Sequence, residues 1–522
     1  VNEAPAVSAA KERQTPNYSW YVLTVLFLVS LINYVDRQII SILAEDIKRD
    51  LVLQDEQIGF LFGTAFGVFY ALFGIPFGRL ADNWHRVRLM TAGLGLWSAL
   101  TAMSGFASNG AWLAFARVGV GIGEATASPA AYSMLSDWFP KRLRATALSI
   151  YSAGLFVGAG LSLFIGGLVV QSWNHAYPQG GPLGLAGWQA AFLAVGLPGV
   201  ALSAWVATLR EPVRGAVEGL SEPPRHPAPF LAFLNDLLTI VPPLTLAGAA
   251  RRGRRALAIN VAGLAVIAAA VAALLAIGES APQWIAVGIA LYAVFSWGCA
   301  LRHQDLPTFR LTIGSPAFVV TIISYGLTGF VATAAGFWTA PYALRELGVA
   351  PADAGLILGG GGALVGFAGV TIGGVLSDRL RRVNPGGRLI MLTASAILSA
   401  LFVAVEFTAD TPLIFYISYG GMAFFASWGL GSTAATTQDL VLPRMRGTAT
   451  ATFFIVTTLM GFALGPYLAG RISTLSGSLS TGMLALLVVS PFAVAAAIVA
   501  YRLVPKAEAQ REAIARAAGE AI

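Results

Sequence analysis

Gly78-Arg79-Leu80-Ala81-Asp82, followed by Arg86, closes one apolar stretch of the chain, and Gly374-Val375-Leu376-Ser377-Asp378, followed by Arg382, closes another. The offset is 296 residues for the glycine, the aspartate and the arginine alike, and Gly59 and Gly63 map at that offset onto Gly355 and Gly359. Farther on, Asp137 with Arg144-Ala145-Thr146-Ala147 answers Asp439 with Arg446-Gly447-Thr448-Ala449 at an offset of 302. Gly154 and Gly158 resemble Gly461 and Gly465. The chain repeats itself in one direction, which for an apolar sequence reads as a parallel repeat of helical bundles. Glycines four apart allow close helix contact, and in lipid such contact needs small residues.

Composition fixes the solvent. Of 522 residues 56% are hydrophobic and only 11% charged, against about 25% charged in soluble domains. A bilayer crossing takes roughly 20 apolar residues. Such runs lie near 19–43, 57–79, 88–108, 111–135, 146–170 and 188–208, then 256–278 and 284–301, then 313–340, 352–377, 388–407, 411–437, 447–470 and 480–503. The sequence therefore predicts an all-α multi-pass membrane protein of fourteen crossings. With a cytoplasmic N-terminus, all of the 33 Lys and Arg fall in cytoplasmic segments except Lys48, Arg49, Arg345 and Arg471 outside and Arg37 and Arg117 within helices. Skipping one crossing would invert every later loop, so charge placement supports count and orientation together, with both termini cytoplasmic.

The repeat offset exceeds a six-helix unit by the length of an insert. The expected divisions are a tail (1–18), a six-helix bundle (19–208), a linker with two extra helices (209–310), a second bundle (311–503) and a tail (504–522). Within the linker, Phe230 to Gly248 reads as an interfacial helix interrupted by Asn235, Asp236 and Pro242-Pro243. The two extra helices carry no buried charge, which fits a simple tie between the halves and leaves their role open.

Several chemistries are excluded. Cys299 is the only cysteine, and the four histidines fall in predicted loops, so no metal or cofactor site and no catalytic grouping is expected. No lysine completes a phosphate-binding G-x-x-x-x-G-K loop. The +7 net charge follows topology and gives no reason to expect nucleic-acid binding. Asn2 to Tyr18 is polar and no cleavable signal peptide is expected. Scarce lysine beside abundant alanine and arginine fits a GC-rich bacterial source, hence the inner (plasma) membrane.

Function is sought where charge enters apolar helix. Asp36 and Arg37 lie in the first crossing, and Arg117 and Glu124 in the fourth. A charge at the centre of a lipid-facing helix costs on the order of 3 kcal/mol or more, so these side chains face protein or a water-filled cavity. At 1.5 Å per residue Asp36 lies about 12 Å before the outer end of its helix and Arg117 about 9 Å below the outer start of its own. The two share a depth and differ in sign, so a contact is geometrically reasonable where their helices adjoin one cavity, as the family resemblance described below implies, with Glu124 lining the same cavity about 10 Å farther in. Burial favours a protonated carboxyl and a nearby guanidinium favours the ionised one. Asp36 is the expected proton carrier and Glu124 a relay, with Arg37 and Arg117 free to grip an anionic group when the proton arrives. A static ion pair joining two helices is the alternative reading. The second half offers Tyr325, Thr328, Thr333, Tyr416, Tyr419, Ser427 and Trp428 instead of charge, a wall suited to a hydrocarbon tail. Core packing or a place at the lipid interface is the plainer role for any one of these aromatics.

The motifs resemble a known family. Gly78-Arg79-Leu80-Ala81-Asp82-Asn83-Trp84-His85-Arg86 resembles the loop signature of the major facilitator superfamily, although Asn83 stands for its usual basic residue and His85 for its usual glycine. Arg117-Val118-Gly119-Val120-Gly121-Ile122-Gly123-Glu124 resembles its fourth-helix motif and Gly154 to Gly167 its fifth. Ile32-Asn33-Tyr34-Val35-Asp36-Arg37 together with Arg117 and Glu124 is similar to the spinster branch. That resemblance implies a monomeric secondary transporter, two bundles rocking about a central site, with an amphipathic lysolipid or sphingosine-phosphate-like substrate, proton coupling, and Asn33, Arg37 and Arg117 at the headgroup. It also implies gating by Gly78, Asp82, Arg86, Arg142, Arg144 and Asp378, with Asp82 latching onto the positive N-terminus of the helix near Gly447; a solvated loop is the alternative. A carrier of small organic anions or drugs and a non-transporting lipid sensor remain open. A lipid enzyme would need a Ser/His or His/Asp grouping that the helices lack.

Overall fold

The structure, a computed structural model, describes residues 17–214 and 227–520, with Lys141, Arg142 and Ala145 described as backbone alone. Most of the expected N-terminal tail and the Arg142 side chain lie outside the described residues. The first half comprises α1 (Asn17–Asp50), α2 (Asp55–Asn83), α3 (Arg86–Ser104), α4 (Gly110–Glu124, resuming as Ala127–Trp138), α5 (Lys141–Ala176) and α6 (Gly187–Val206). The insert follows as α7 (Pro229–Ile240), α8 (Leu244–Arg251), α9 (Arg254–Ala276) and α10 (Ala281–Gln304). The second half is α11 (Pro316–Arg345), α12 (Pro351–Val383), α13 (Gly387–Glu406), α14 (Pro412–Asp439), α15 (Pro443–Ser476) and α16 (Leu479–Ala517). Among the described residues there is no strand. Among the described residues twelve helices are long and apolar enough to cross a membrane; α3 and the broken α4 fall outside that number.

The repeat is visible as matched irregularities. Gly59 and Gly63 sit where a Cβ would strike the backbone of Pro466 and Phe462 on α15. Their counterparts Gly355 and Gly359 meet Leu163 and Gly160 on α5 in the same way. Each quartet therefore brings one half against the other with no side chain between. Both segments relax into π-helical turns, Phe60–Thr64 and Gly355–Gly361. In α4 the helix breaks after Glu124 and in α14 at Ser427, again at an offset of 302 for residues 125 and 427. One correspondence differs from the sequence reading. Arg86 pairs with Asp137, and the ion pair at the same spacing in the second half is Arg388 with Asp439, not one made by Arg382. Six more residues separate Asp378 from Arg388 than Asp82 from Arg86, most of them in the end of α12, which runs on to Val383, so the offset has already changed before the arginine.

The two halves are joined tightly at the α1–α2 end. Phe62 of α2 stacks on Phe337 of α11, ring centroids 4.2 Å apart, and both are buried. Lipid gives helices no hydrophobic drive to associate, so such contacts hold by dispersion and close packing. The insert differs from a single interfacial helix: α7 and α8 bend by 97° at Pro242-Pro243. α7 lies along α2, with Phe233 stacked on Phe77 and Asp236 paired with Arg79. α10 wedges into the groove between α2 and α15, where Thr64 Oγ1 bonds Gln283 Oε1 at 2.6 Å and Gln283 Nε2 donates to the Ala463 carbonyl at 3.0 Å. Glu279 and Asp305 at its two ends pair with Arg471 and Arg444. The outer helix α9 is almost wholly exposed on the surface of the protein, so as a crossing it faces lipid.

Candidate functional site

Asp36, Arg37, Arg117 and Glu124 come together inside the first half, all four buried. Their pairing differs from the expected one. Arg37, not Arg117, holds a carboxylate: its Nη2 and Nε donate to Glu124 Oε2 at 2.7 and 3.1 Å. Asn33 Oδ1 accepts from Arg37 Nη2 at 3.4 Å. Arg117 reaches Asp36 only at its carbonyl oxygen, 3.4 Å from Nη1, and donates from Nε to the Leu61 carbonyl. Among the described residues no arginine bonds either carboxylate oxygen of Asp36, and Arg117 Nη2 and Glu124 Oε1 are unpartnered. The Trp97 indole N–H lies beside the Asp36 carboxylate. Arg37 is boxed by aromatic rings, its Cζ 4.7 Å from the Phe66 centroid and 4.8 Å from those of Tyr34 and Tyr70. Phe462 of the second half closes the box at 5.9 Å.

A cavity of about 350 Å³ lies on the other side of α1, between the halves. Its wall includes Gln38, Phe156, Tyr325, Thr328, Tyr419 and Ser427. Tyr325, Thr328 and Tyr419 thus stand where an aromatic, hydroxyl-bearing wall was expected. Tyr416 and Trp428 do not line it; Trp428 packs among Phe424 and Phe425. The charged four and Asn33 do not line it either, which corrects the expectation of a chamber shared by Glu124 and the second-half wall. The reason is rotational. Consecutive helical residues point about 100° apart, so Gln38 faces the second half while Asp36 and Arg37 turn toward α2 and α4.

The cavity is closed at the α1–α2 end by a charged knot that the sequence reading did not single out. Asp55 accepts from Lys48 of α1 at 2.6 Å, from Arg345 of α11 at 2.8 Å and from Ser473 of α15 at 2.6 Å. Arg345 also holds Glu45 at 2.6 Å, and Arg471 holds Glu56 at 2.8 Å. Ser41 Oγ donates to the Phe337 carbonyl at 2.6 Å just inside. A signal existed: Lys48, Arg345 and Arg471 are three of the four basic residues that the charge pattern left on the wrong side. Glu406 was also passed over. It is fully buried on α13 against Thr339, whose hydroxyl lies 2.5 Å from Glu406 Oε1 and 2.6 Å from the Ala335 carbonyl.

At the α2–α3 end Arg86, Arg144 and Asp378 find partners close to their own helices. Arg86 is bound by Asp137, Glu211 and Ser133, Arg144 donates to the Ser136 carbonyl, and Asp378 pairs with Arg388. Asp82 is exposed, and its carbonyl accepts from Arg214. Nothing stands within 4 Å of where a Cβ would sit at Gly78 or Gly447. Glu211 is held below the usual carboxylate range: burial opposes this, but bonds from the Val87 N–H and Arg86 outweigh it.

Two repeated bundles, closed at one end and parted by a cavity, define a secondary transporter rather than an enzyme. A sequence profile of the Major Facilitator Superfamily matches residues 26–250 and 318–521, and the chain belongs to that family. It is 28% identical over 467 residues to an MFS-type efflux pump of Mycolicibacterium smegmatis, covering 88% of this chain and 86% of that protein. It is 25% identical over 476 residues to protein spinster homolog 1 of Xenopus tropicalis, covering 87% and 73%. A solved bacterial homolog of the human lysosomal transporter spinster, in an inward-facing and unoccupied conformation, shares the fold with a TM-score of 0.71 at 23% identity, covering 95% and 99%. Within the superfamily the chain is thus similar both to spinster proteins and to an efflux pump.

Proposed function

We propose that this transporter moves an amphipathic lysolipid or sphingosine-phosphate-like molecule by alternating access, coupled to protons. The observation that supports it most is the arrangement of the cavity beside the buried charges. The cavity wall is uncharged and largely apolar, with hydroxyls from Thr328, Tyr419 and Ser427, and suits a hydrocarbon chain. Arg37, next in sequence to the cavity residue Gln38, is the least buried of the four charged residues and touches Phe462 of the other half. On this reading an anionic headgroup competes with Glu124 for Arg37, and protonation of Glu124 releases the guanidinium. Asp36 is the carboxyl group that loses least on taking up a proton, because unlike Glu124 its carboxylate holds no arginine. Arg117 keeps its place at the backbone of α1 and α2, and Asn33 orients Arg37.

The tight α1–α2 end and the open Asp82–Gly447 end fit one extreme of the cycle. At the other, Asp82 would latch at the N-terminus of α15 while Gly78, Arg86, Arg142, Arg144 and Asp378 shape the loops that approach it. The domain limits 19–208 and 311–503, the joining segment 209–310, fourteen crossings with α3 and α4 included, a monomer in the inner membrane and cytoplasmic termini complete the proposal. The second reading is export of an uncharged drug, which the absence of charge from the cavity wall among the described residues favours over carriage of a small anion.

Purified protein in proteoliposomes with an imposed pH gradient tests the proposal. Lysolipid movement that depends on the gradient and exceeds that of a short polar anion is the expected result. Movement of neither, with intact folded protein, removes the transport reading of this site; gradient-driven movement of an apolar drug alone selects the second.

A further inference from the structure

Glu406 closes α13 and takes no part in the transport site, yet no part of it reaches solvent. Among the described residues its carboxyl group bonds Thr339 of α11 and nothing else. The Thr339 hydroxyl oxygen stands 2.5 Å from Glu406 Oε1 and 2.6 Å from the Ala335 carbonyl oxygen, one turn back on α11. Both are lengths of O–H···O hydrogen bonds. Two such bonds need two protons, and a threonine hydroxyl brings one. The Ala335 carbonyl brings none, so the second proton sits on the Glu406 carboxyl group. Thr339 then donates to Ala335 and accepts from Glu406. Were Glu406 ionised, one of the two oxygen pairs would stand at bonding distance with no proton between. Its Oε2, which has no donor, would also be part of a bare buried charge.

Its neighbours among the described residues offer no counter-charge. Tyr342 of α11 and Tyr419 of α14 are the ionisable groups turned toward it, with Glu346 and Asp410 beyond Tyr342. α12 brings Asp353 as far as Tyr416, and α16 carries no ionisable side chain before Tyr501. Arg345, the one charged residue of α11, lies six residues and thus about 9 Å beyond Thr339, and it is held by Asp55 and Glu45. Rings seal the acid toward that end: the Tyr342 centroid stands 5.1 Å from that of Phe407 and 5.6 Å from that of Phe415. Tyr342 and Arg345 share the last turn of α11, so parting Arg345 from Asp55 frees the turn that carries the ring.

We propose that Glu406 is a proton-binding site of the second half, separate from the Arg37–Glu124 pair, loaded while the α1–α2 end is closed and emptied when that end opens. On opening, the Tyr342 ring moves aside and water reaches the carboxyl group. The proton passes from Oε1 to that water and leaves a hydrated carboxylate. That this proton travels with cargo rests on the proton-coupled reading above; its binding does not.

Infrared spectra of the full-length protein in phosphatidylcholine vesicles read protonated carboxyl groups through their C=O stretch. At neutral pH, where an exposed glutamate is ionised, the parent should show a protonated-carboxyl band that Glu406→Gln lacks. Asp55→Asn, which loosens the closed end, and Tyr342→Ala, which removes the seal, should each weaken that band by about twofold or more, because a hydrated carboxylate no longer pays for burial. Identical spectra for the parent and Glu406→Gln overturn the site. A band equally strong in the parent, Asp55→Asn and Tyr342→Ala overturns its emptying on opening. Should Glu406→Gln fail to fold, Thr339→Val removes the acceptor of the proton and should move the band; an unmoved band counts against the assignment. In proteoliposomes Glu406→Gln should carry fewer protons per cargo molecule than the parent. A parent that shows the band and its loss on opening, yet moves no protons with cargo, would sink the proton-coupled reading and leave the binding site standing.

Discussion

Breaking the Arg37–Glu124 pair on one side only is expected to cost far more than removing it whole. At 2.7 Å, two unit charges attract by roughly 6 kcal/mol when their surroundings screen them as an effective dielectric of about 20. Their desolvation, several kcal/mol per ion, consumes most of that attraction. In Glu124→Leu the guanidinium keeps only Asn33 and its aromatic box, and in Arg37→Met the carboxylate loses every donor. Each single change should destabilise the protein by about 3–5 kcal/mol. Arg37→Met with Glu124→Leu should sit within about 2 kcal/mol of the parent, the remainder reflecting lost cation–π contact. Unfolding of purified protein in one detergent, analysed as a double-mutant cycle, measures the coupling. Effects that add to within about 0.5 kcal/mol would mean that the pair is screened or rearranges freely. A dry, mutually dependent pair would then be refuted, and with it the idea that freeing Arg37 requires a proton.

Asp36→Asn should abolish the pH dependence of transport while costing little stability, since its carboxylate holds no arginine and an amide oxygen can still accept from the Trp97 N–H; proteoliposome flux against pH decides, and an unchanged profile refutes the assignment. Gly336→Phe should stop transport of bulky cargo without unfolding the protein, because a Cβ there meets nothing within 4 Å and the position lines the cavity; normal flux would place the route elsewhere. Asp55→Asn should loosen the α1–α2 end, raising thiol labelling of cysteines introduced just inside it; labelling equal to the parent would make the knot ornamental. Glu406→Gln should fold as well as the parent, since an amide N–H can bond the Thr339 hydroxyl in place of a carboxyl group; a loss beyond about 2 kcal/mol in unfolding would refute that substitution of partners.

The repeat, the helical class and the family were legible because they are written in composition and spacing. Gly59, Gly63, Gly355 and Gly359 could be paired from the sequence alone, since backbone contact leaves glycine little choice of substitute. Depth was legible too: the rise per residue places Asp36 and Arg117 at one level. Rotation was not. Whether Arg37 or Arg117 meets a carboxylate depends on how α1 and α4 are turned about their axes, and a turn of one residue exchanges the cavity face for the bundle interior. The same ignorance put Glu124 and Trp428 on a chamber wall that they do not touch. Arg382 was matched to Arg86 because a repeat offset is taken as constant until an insertion is located, and the insertion lies mostly in the extended end of α12. The Asp55 knot was hidden differently: its members are scattered over four helices and gain meaning only when two halves meet.

The Thr64–Gln283–Ala463 junction has a mechanical consequence. It joins both halves and the insert at one point, nine residues and thus roughly 13 Å along α2 from Asp55. If it persists through the cycle it acts as a fulcrum, and displacement grows with distance from it. A tilt too slight to strain the fulcrum can still pull Arg345 from Asp55, so the resistance to opening is concentrated at the far end of the lever. Lengthening or weakening that end changes how fast the protein turns over while leaving the axis of its motion in place.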